Sequence, residues 1–288
     1  MPSRSVVTRS TDRILAGRRR RAELAKHACI LGLLILTFYP FVFMVQTSFK
    51  DNSQLMNEFW SPALPLHLEN YARAAVAIAP YVLNSVIVSG TTVVGVLVLS
   101  SLSAYVFARF TFPGSTLLFL AVISLLMVPG SLTLVPAFVW IKNLNLLNSR
   151  WALVLPYVTL GQITAIFILR GFFASLPEEV FEAARIDGAS EWRIYLRIVL
   201  PLSRPILGTV AVLNLVGTWN DYIWPLVVIS DNALRTIPIG LAYFTGEFNR
   251  DWGALMAGYT LASIPLIVVF VFAMRPFLEG LTSGAIKM

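Results

Sequence analysis

Five stretches of this 288-residue chain carry no charged side chain, and their lengths limit what it can fold into. Lys26 and Lys50 enclose 23 uncharged residues, Arg73 and Arg109 enclose 35, and Arg109 and Lys142 enclose 32. Arg150 and Arg170 enclose 19, and Asp251 and Arg275 enclose 23. A bilayer core of about 30 Å is crossed by about 20 predominantly apolar helical residues. A helix also satisfies its own backbone hydrogen bonds where lipid offers none. Only 13% of the residues are charged, about half the proportion of a soluble domain. The chain therefore reads as all-α and polytopic, with short loops and no room for a large soluble domain.

Windows of about 19 residues place spans near 25–47, 80–106, 115–139, 151–171, 204–229 and 254–275, and Asp221 interrupts the outer end of the fifth. Orientation follows from the basic residues, which accumulate on the cytoplasmic side. With the N-terminus inside, the inner segments hold 16 Lys and Arg and the outer ones 6. Both termini are thus expected in the cytoplasm. Eight of those residues precede the first span, including Arg18 to Arg21, so the net charge of +7 marks a membrane anchor rather than a nucleic-acid surface. The apolar run from His27 to Phe49 exceeds the core of a cleaved signal peptide. Cys29 stands alone, which excludes an intrachain disulfide, and His27 and His67 cannot build a zinc cluster. No metal site is expected.

The spans are more than greasy anchors. Ser85 and Ser89, then Ser100, Ala104 and Ala108, repeat every fourth residue of the second span, a pattern that lets helix backbones approach closely in lipid. Pro129, Pro136, Pro156 and Pro265 would kink spans or mark their ends. Asn84, Gln162, Thr164 and Asn214 cannot face lipid cheaply. Together with Trp219, Asn220 and Asp221, the residues Asn84, Gln162 and Asn214 are candidates to line a translocation path. For each, a helix–helix hydrogen bond is the alternative, and an interfacial aromatic belt accounts equally for the tryptophans.

Between the fourth and fifth spans, Ser175 to Tyr195 reads as two short helices joined by a glycine. Ser175 and Glu178 have capping-box spacing, and Pro177 is tolerated in a first turn. Glu178, Glu179 and Glu182 suit a helix N-terminus, and Gly188 suits the left-handed position beyond its end. Ser190 can cap a second helix running towards Leu200-Pro201. Val180, Phe181 and Ala184 gather on one side. Glu182 can pair with Arg185 at i,i+3 or reach a basic group elsewhere, and the small pair Ala183 and Ala184 permits close approach to another protein.

Glu182-Ala-Ala, three residues, Gly188, nine residues, Ile198, then Leu200-Pro201, resembles the EAA signature of bacterial binding-protein-dependent ABC transporter permeases. The stretch Glu182-Ala-Ala-Arg-Ile-Asp-Gly-Ala-Ser is most similar to their carbohydrate, maltose-type branch. Ala108-Arg-Phe-Thr-Phe-Pro-Gly, Thr218-Trp-Asn-Asp-Tyr-Ile-Trp-Pro and Gly280-Leu-Thr-Ser-Gly-Ala-Ile-Lys support it, over roughly 70–288. The resemblance implies a six-helix transmembrane domain of a type I importer, with a coupling helix in the loop 175–201 formed by Glu182, Ala183, Ala184, Asp187 and Gly188. The chain then divides into a basic cytoplasmic segment 1–26, a first span and outer loop 27–79, a permease core 80–276 and a cytoplasmic tail 277–288, whose Gly280–Met288 either docks on the ATPases or frays as ordinary tails do.

Its implied partners are a second homologous permease subunit, two ATPase subunits, an extracytoplasmic solute-binding protein, membrane lipid and a sugar-like solute. No lysine follows a glycine, so no P-loop exists here. This chain would need no cofactor, with ATP and Mg held by the separate ATPase. HExxH and GxSxG are also missing, which argues against an enzyme. The competing class is an ion-coupled secondary transporter, which carries ionisable groups deep in its spans. The uncharged runs contain none, and Asp221 sits near an interface.

Overall fold

The longest uninterrupted helix inside the bundle organises the others around it. In the computed structural model, which describes residues 4–248 and 251–285, this helix is α3, Glu69–Arg109. It follows α1 (Arg4–Thr47) and a short outer helix α2 (Asn52–Asn57). At 41 residues it reaches about 60 Å, at 1.5 Å per residue, well beyond the expected 80–106. The small-residue stripe explains its position. Ser85, Ser89, Ser100 and Ala104 are buried, and α3 packs most extensively on α6 (Trp151–Ala174). At Gly95 the gap to Val158 of α6 is too small to admit a methyl group.

Among the described residues, four helices are long and apolar enough to cross a membrane: α1, α3, α6 and α13 (Trp252–Ala285). Two more crossings are broken. The third joins α4 (Ser115–Ser124), through a 3-10 turn at Leu125–Met127, to α5 (Gly130–Asn143) with a bend of 102°. Pro129 stands at the break, in the extended conformation that precedes a helix. The fifth pairs the stretch Glu191–Leu202 with α10 (Arg204–Asn220) at a bend of 76°, and the short α11 (Ile223–Val228) follows a break at Asp221 and Tyr222. Counting each bent pair as one span gives six. The last helix continues through most of the expected C-terminal tail, and Ile286 to Met288 lie outside the described residues.

Besides α2, one more element was unexpected. Ile237–Glu247 forms a helix, α12, on the segment assigned to an outer loop. Gly240 admits the Tyr81 ring of α3, in space that a side chain at 240 would fill. Three apolar clusters line up along α3. Val96, Ala104 and Tyr105 belong to the one nearest Arg109, which includes Phe173, Phe181 and Ile194. Val88 belongs to a second, with Ile141 and Trp224. Ala74, Ile78 and Tyr81 belong to a third, with Phe244 and Leu255.

The candidate coupling element and path

At the Arg109 end of the bundle, Ser175 to Ser203 folds back onto the spans. It comprises α7 (Glu178–Ile186), α8 (Glu191–Ile194), a π-helical turn at Tyr195–Val199 and α9 (Leu200–Leu202). Gly188 has φ of +73°, the left-handed region that glycine enters without steric cost. Its amide bonds to the Arg185 carbonyl at 3.0 Å, and the Ala189 amide bonds to that of Ala184 at 2.9 Å. That pair of bonds is a Schellman termination, which satisfies the last carbonyls of α7. Ser190 accepts from the Arg193 amide, capping α8 as its side chain allows.

Two local expectations fail, each for its own reason. Ser175 does not cap α7, because its hydroxyl turns back to the Phe172 carbonyl and Pro177 occupies the cap position. Glu182 does not pair with Arg185. Instead Arg185 reaches Glu191 at 3.0 Å and Glu178 at 3.2 Å, and these carboxylates hold its guanidinium above its ordinary pKa. Arg109, 69 residues before Glu178, takes that carboxylate at 2.6 Å. More distant charge partners take Arg185 from its i,i+3 neighbour.

The structure also splits the alanine pair. Ala184 is 8% exposed and sits with Phe181 in the bundle's own core, so it is not on the free face. Glu182, Ala183, Asp187 and Gly188 are exposed, and beside them Ile186 is 86% exposed. Ile186 is not among the sequence candidates, although an isoleucine one residue before a helix-ending acidic residue and glycine, on the face opposite Phe181, is a signal that could have found it.

Arg109 was overlooked as well. Its side chain is 7% exposed. It donates to Glu178 at 2.6 Å and to the carbonyls of Phe173 and Leu176 at 2.7 and 2.8 Å, with its guanidinium carbon 3.7 Å from the Phe181 ring centre. Tyr105 donates to Glu191 at 2.7 Å, and the Ser101 and Tyr195 hydroxyls share a bond of 2.7 Å.

The candidate path residues separate into groups. Asn84 is a clasp: it donates to the carbonyls of Ala233 and Arg235 at 2.7 and 3.1 Å and accepts from Arg150. Trp219 is buried at 5% in the third cluster. Asp221 accepts from Tyr157 at 2.8 Å and caps the Ile223 amide, which explains why the helix breaks there. Asn220 is exposed and lines a cavity of about 400 Å³ with Phe41, Ile237 and Tyr259. Asn214 lines a smaller cavity between α6 and α10, about 220 Å³, with Gly161, Thr164, Ile168 and Val210. Its amide nitrogen bonds to the Val210 carbonyl at 2.9 Å, and its oxygen occupies the space where a side chain on Gly161 would stand. Gln162 is half-buried and does not line that cavity.

Residues 97–278 match the family model described as a binding-protein-dependent transport system inner membrane component. Among curated relatives, the chain is 36% identical over 255 residues to the probable ABC transporter permease protein YurM of Bacillus subtilis, covering 88% of this chain and 85% of the relative. It is 34% identical over 281 residues to the diacetylchitobiose uptake system permease protein NgcG of Streptomyces coelicolor, covering 96% and 92%. Among solved structures, it superposes with a TM-score of 0.76 at 20% identity on a chain of a bacterial ABC transporter involved in import of the acidic polysaccharide alginate, covering 96% of this chain and 100% of that one. At that identity the likeness speaks for the fold.

Proposed function

The chain belongs to the family of binding-protein-dependent transport system inner membrane components, and from that premise we propose that it forms half of the path of an ATP-driven importer of a sugar or oligosaccharide. The family supplies the multi-pass inner-membrane component and no catalytic domain, so ATP is hydrolysed on a partner ATPase. Support for the solute class comes from the Streptomyces relative, named for diacetylchitobiose uptake and matched along 96% of this chain. The remaining partners would be a second homologous permease, a second ATPase copy and an extracytoplasmic solute-binding protein.

The observation that carries the coupling role is the two-sidedness of α7. Phe181 and Ala184 lock one face into the bundle, while Glu182, Ala183, Ile186 and Asp187 leave the other uncovered. A connector serving only to join two spans needs few residues and gains nothing from an exposed isoleucine at its tip. An ATPase groove seated on that face would receive Ile186 and approach closely at Ala183.

Orientation follows the same reading, with the Arg109 end and both termini in the cytoplasm. Reporter fusions at Leu147 and Ser230 should report outside, and fusions at Arg109 and Lys287 inside; reversal at two of the four sites would sink this topology. The function itself is tested by uptake into liposomes holding the chain with its partner subunits. Uptake should require internal ATP and an intact ATPase and persist when ion gradients are collapsed. Uptake that uncouplers abolish, and that survives loss of the ATPase, would assign the chain to the secondary transporters instead.

A further inference from the structure

We infer that α3 carries motion between the ATPase-facing segment and the opposite rim of the permease, with Arg109 as the positioning residue that fastens it. The inference rests on the importer reading above and names a route within it.

Besides the apolar packing of Phe181 and Ile194 in the core, the 175–203 segment joins the bundle in three ways, and two of them are covalent. One is the turn Ser175-Leu176-Pro177 leaving α6. The other is the junction at Ser203, where the axis of Glu191–Leu202 meets α10 at 76°. A push along a connection bent that far swings it rather than transmitting it. The third attachment is made by side chains of α3, and it reaches both halves of the segment. Arg109 holds α7 through Glu178 and the Phe181 ring, Tyr105 holds α8 through Glu191, and Ser101 holds the π-helical turn through Tyr195.

Arg109 suits this task for reasons of geometry. Its planar fork offers five donors, and here it spans three acceptors on two elements while its face lies on an aromatic ring. Charge-assisted bonds of this kind resist separation more than neutral ones do, and the Arg109 side of the pair is buried while Glu178 is half-exposed. Moving α7 relative to α3 breaks the bond to Glu178 and the contact with the Phe181 ring, whereas moving the two helices together keeps both.

The far part of α3 is gripped just as firmly. Tyr81 donates to Asn232 at 2.8 Å, Asn84 to the Ala233 and Arg235 carbonyls, and Ser85 accepts from the Ile237 amide at 2.8 Å. These bonds fix the segment between α11 and α12 to α3. Between Tyr81 and Arg109 the helix is continuous, since Pro80, its internal proline, lies just beyond the grip. A displacement entering at α7 therefore reaches residues 232–237 through one helix, about 42 Å long at 1.5 Å per residue.

The test uses the assembled transporter in liposomes, supplied with its solute-binding protein and solute. Arg109→Lys keeps the charge but not the fork, and Tyr105→Phe removes one hydroxyl without altering any charge. In Arg109→Lys, basal ATP hydrolysis and subunit assembly should persist, while solute transported per ATP falls about tenfold, within the usual range of coupling between sites. Tyr105→Phe should act in the same direction with a smaller loss, about threefold. Spin labels at Ala183 and Ala233 supply a readout that a purely structural latch would not move. In the unsubstituted transporter both should respond to ATP, and in Arg109→Lys only the one at Ala183. An assembled Arg109→Lys transporter with an unchanged ratio of transport to hydrolysis would overturn the inference. Should that variant not assemble, the same result in Tyr105→Phe would overturn it. If the unsubstituted transporter shows no ATP-dependent uptake, the importer reading itself has failed.

Discussion

Gly253→Ala is expected to lower stability by about 3 kcal/mol, as overpacking a close-fitted site does, and to loosen the start of the last helix. A methyl group at this position would fall inside contact distance of the Lys50 carbonyl oxygen and the Asn70 amide. At Gly161, Gly240 and Gly258 the obstructing atoms belong to side chains. At Gly253 the first obstacle is backbone, and that backbone is held. Asn70 donates to the Ser48 and Lys50 carbonyls at 3.0 and 2.9 Å, and the buried Lys50 ammonium donates to the carbonyls of Glu58 and Phe59. Arg73 adds an ion pair to Asp251 at 2.5 Å, and Asp251 caps the Ala254 amide. Gly90→Ala in α3 is the control, because its methyl group would meet nothing within 4 Å. Helix propensity alone should make that change neutral or stabilising by up to about 1 kcal/mol. Thermal unfolding in detergent compares the two, and a Gly253→Ala protein as stable as Gly90→Ala would show that the start of α13 is not in contact with the Lys50 backbone.

The spans were legible because lipid imposes one strong rule. Charge-free runs of about 20 residues have few alternatives to a helix across the bilayer. The left-handed Gly188, the cap at Ser190 and the break at Asp221 were legible too, since each depends on residues within four positions. What escaped depends on distant sequence. Arg109 looked like one more interfacial charge until Phe173, Leu176 and Glu178 folded back against it. Helix α12 needed the Tyr81 ring, 159 residues before Gly240, to give its glycine a purpose. Asn84 read as a polar residue in need of a path, but it spends its hydrogen bonds on Ala233, Arg235 and Arg150. Asn214, Trp219 and Asn220 still border open space, and Gly161 beside Asn214 gave no local hint of that role.

Gly188→Val should yield a permease that inserts and assembles yet no longer turns ATP hydrolysis into uptake. At φ of +73° a residue with a Cβ pays about 1–2 kcal/mol, and a β-branched side chain in this region is a conformational outlier. The helix end relaxes by giving up the bonds from Gly188 to Arg185 and from Ala189 to Ala184. Both α7 and α8 are anchored to α3, so the relaxation must displace the exposed turn between them, which is the part offered to the ATPase. Coupling should fall about tenfold or more, a change in interaction between sites of the usual size. The surroundings separate conformation from bulk, because nothing in the chain lies within 4 Å of a Cβ at 188. Asparagine accepts the left-handed region far better than valine at similar volume. If the backbone angle is what matters, Gly188→Asn should keep most of the uptake that Gly188→Val loses. If the two fail alike while the ATPase stays bound, the constraint is the volume of the partner's groove against the turn. Normal uptake by an assembled Gly188→Val transporter would remove the mechanical role from this segment altogether.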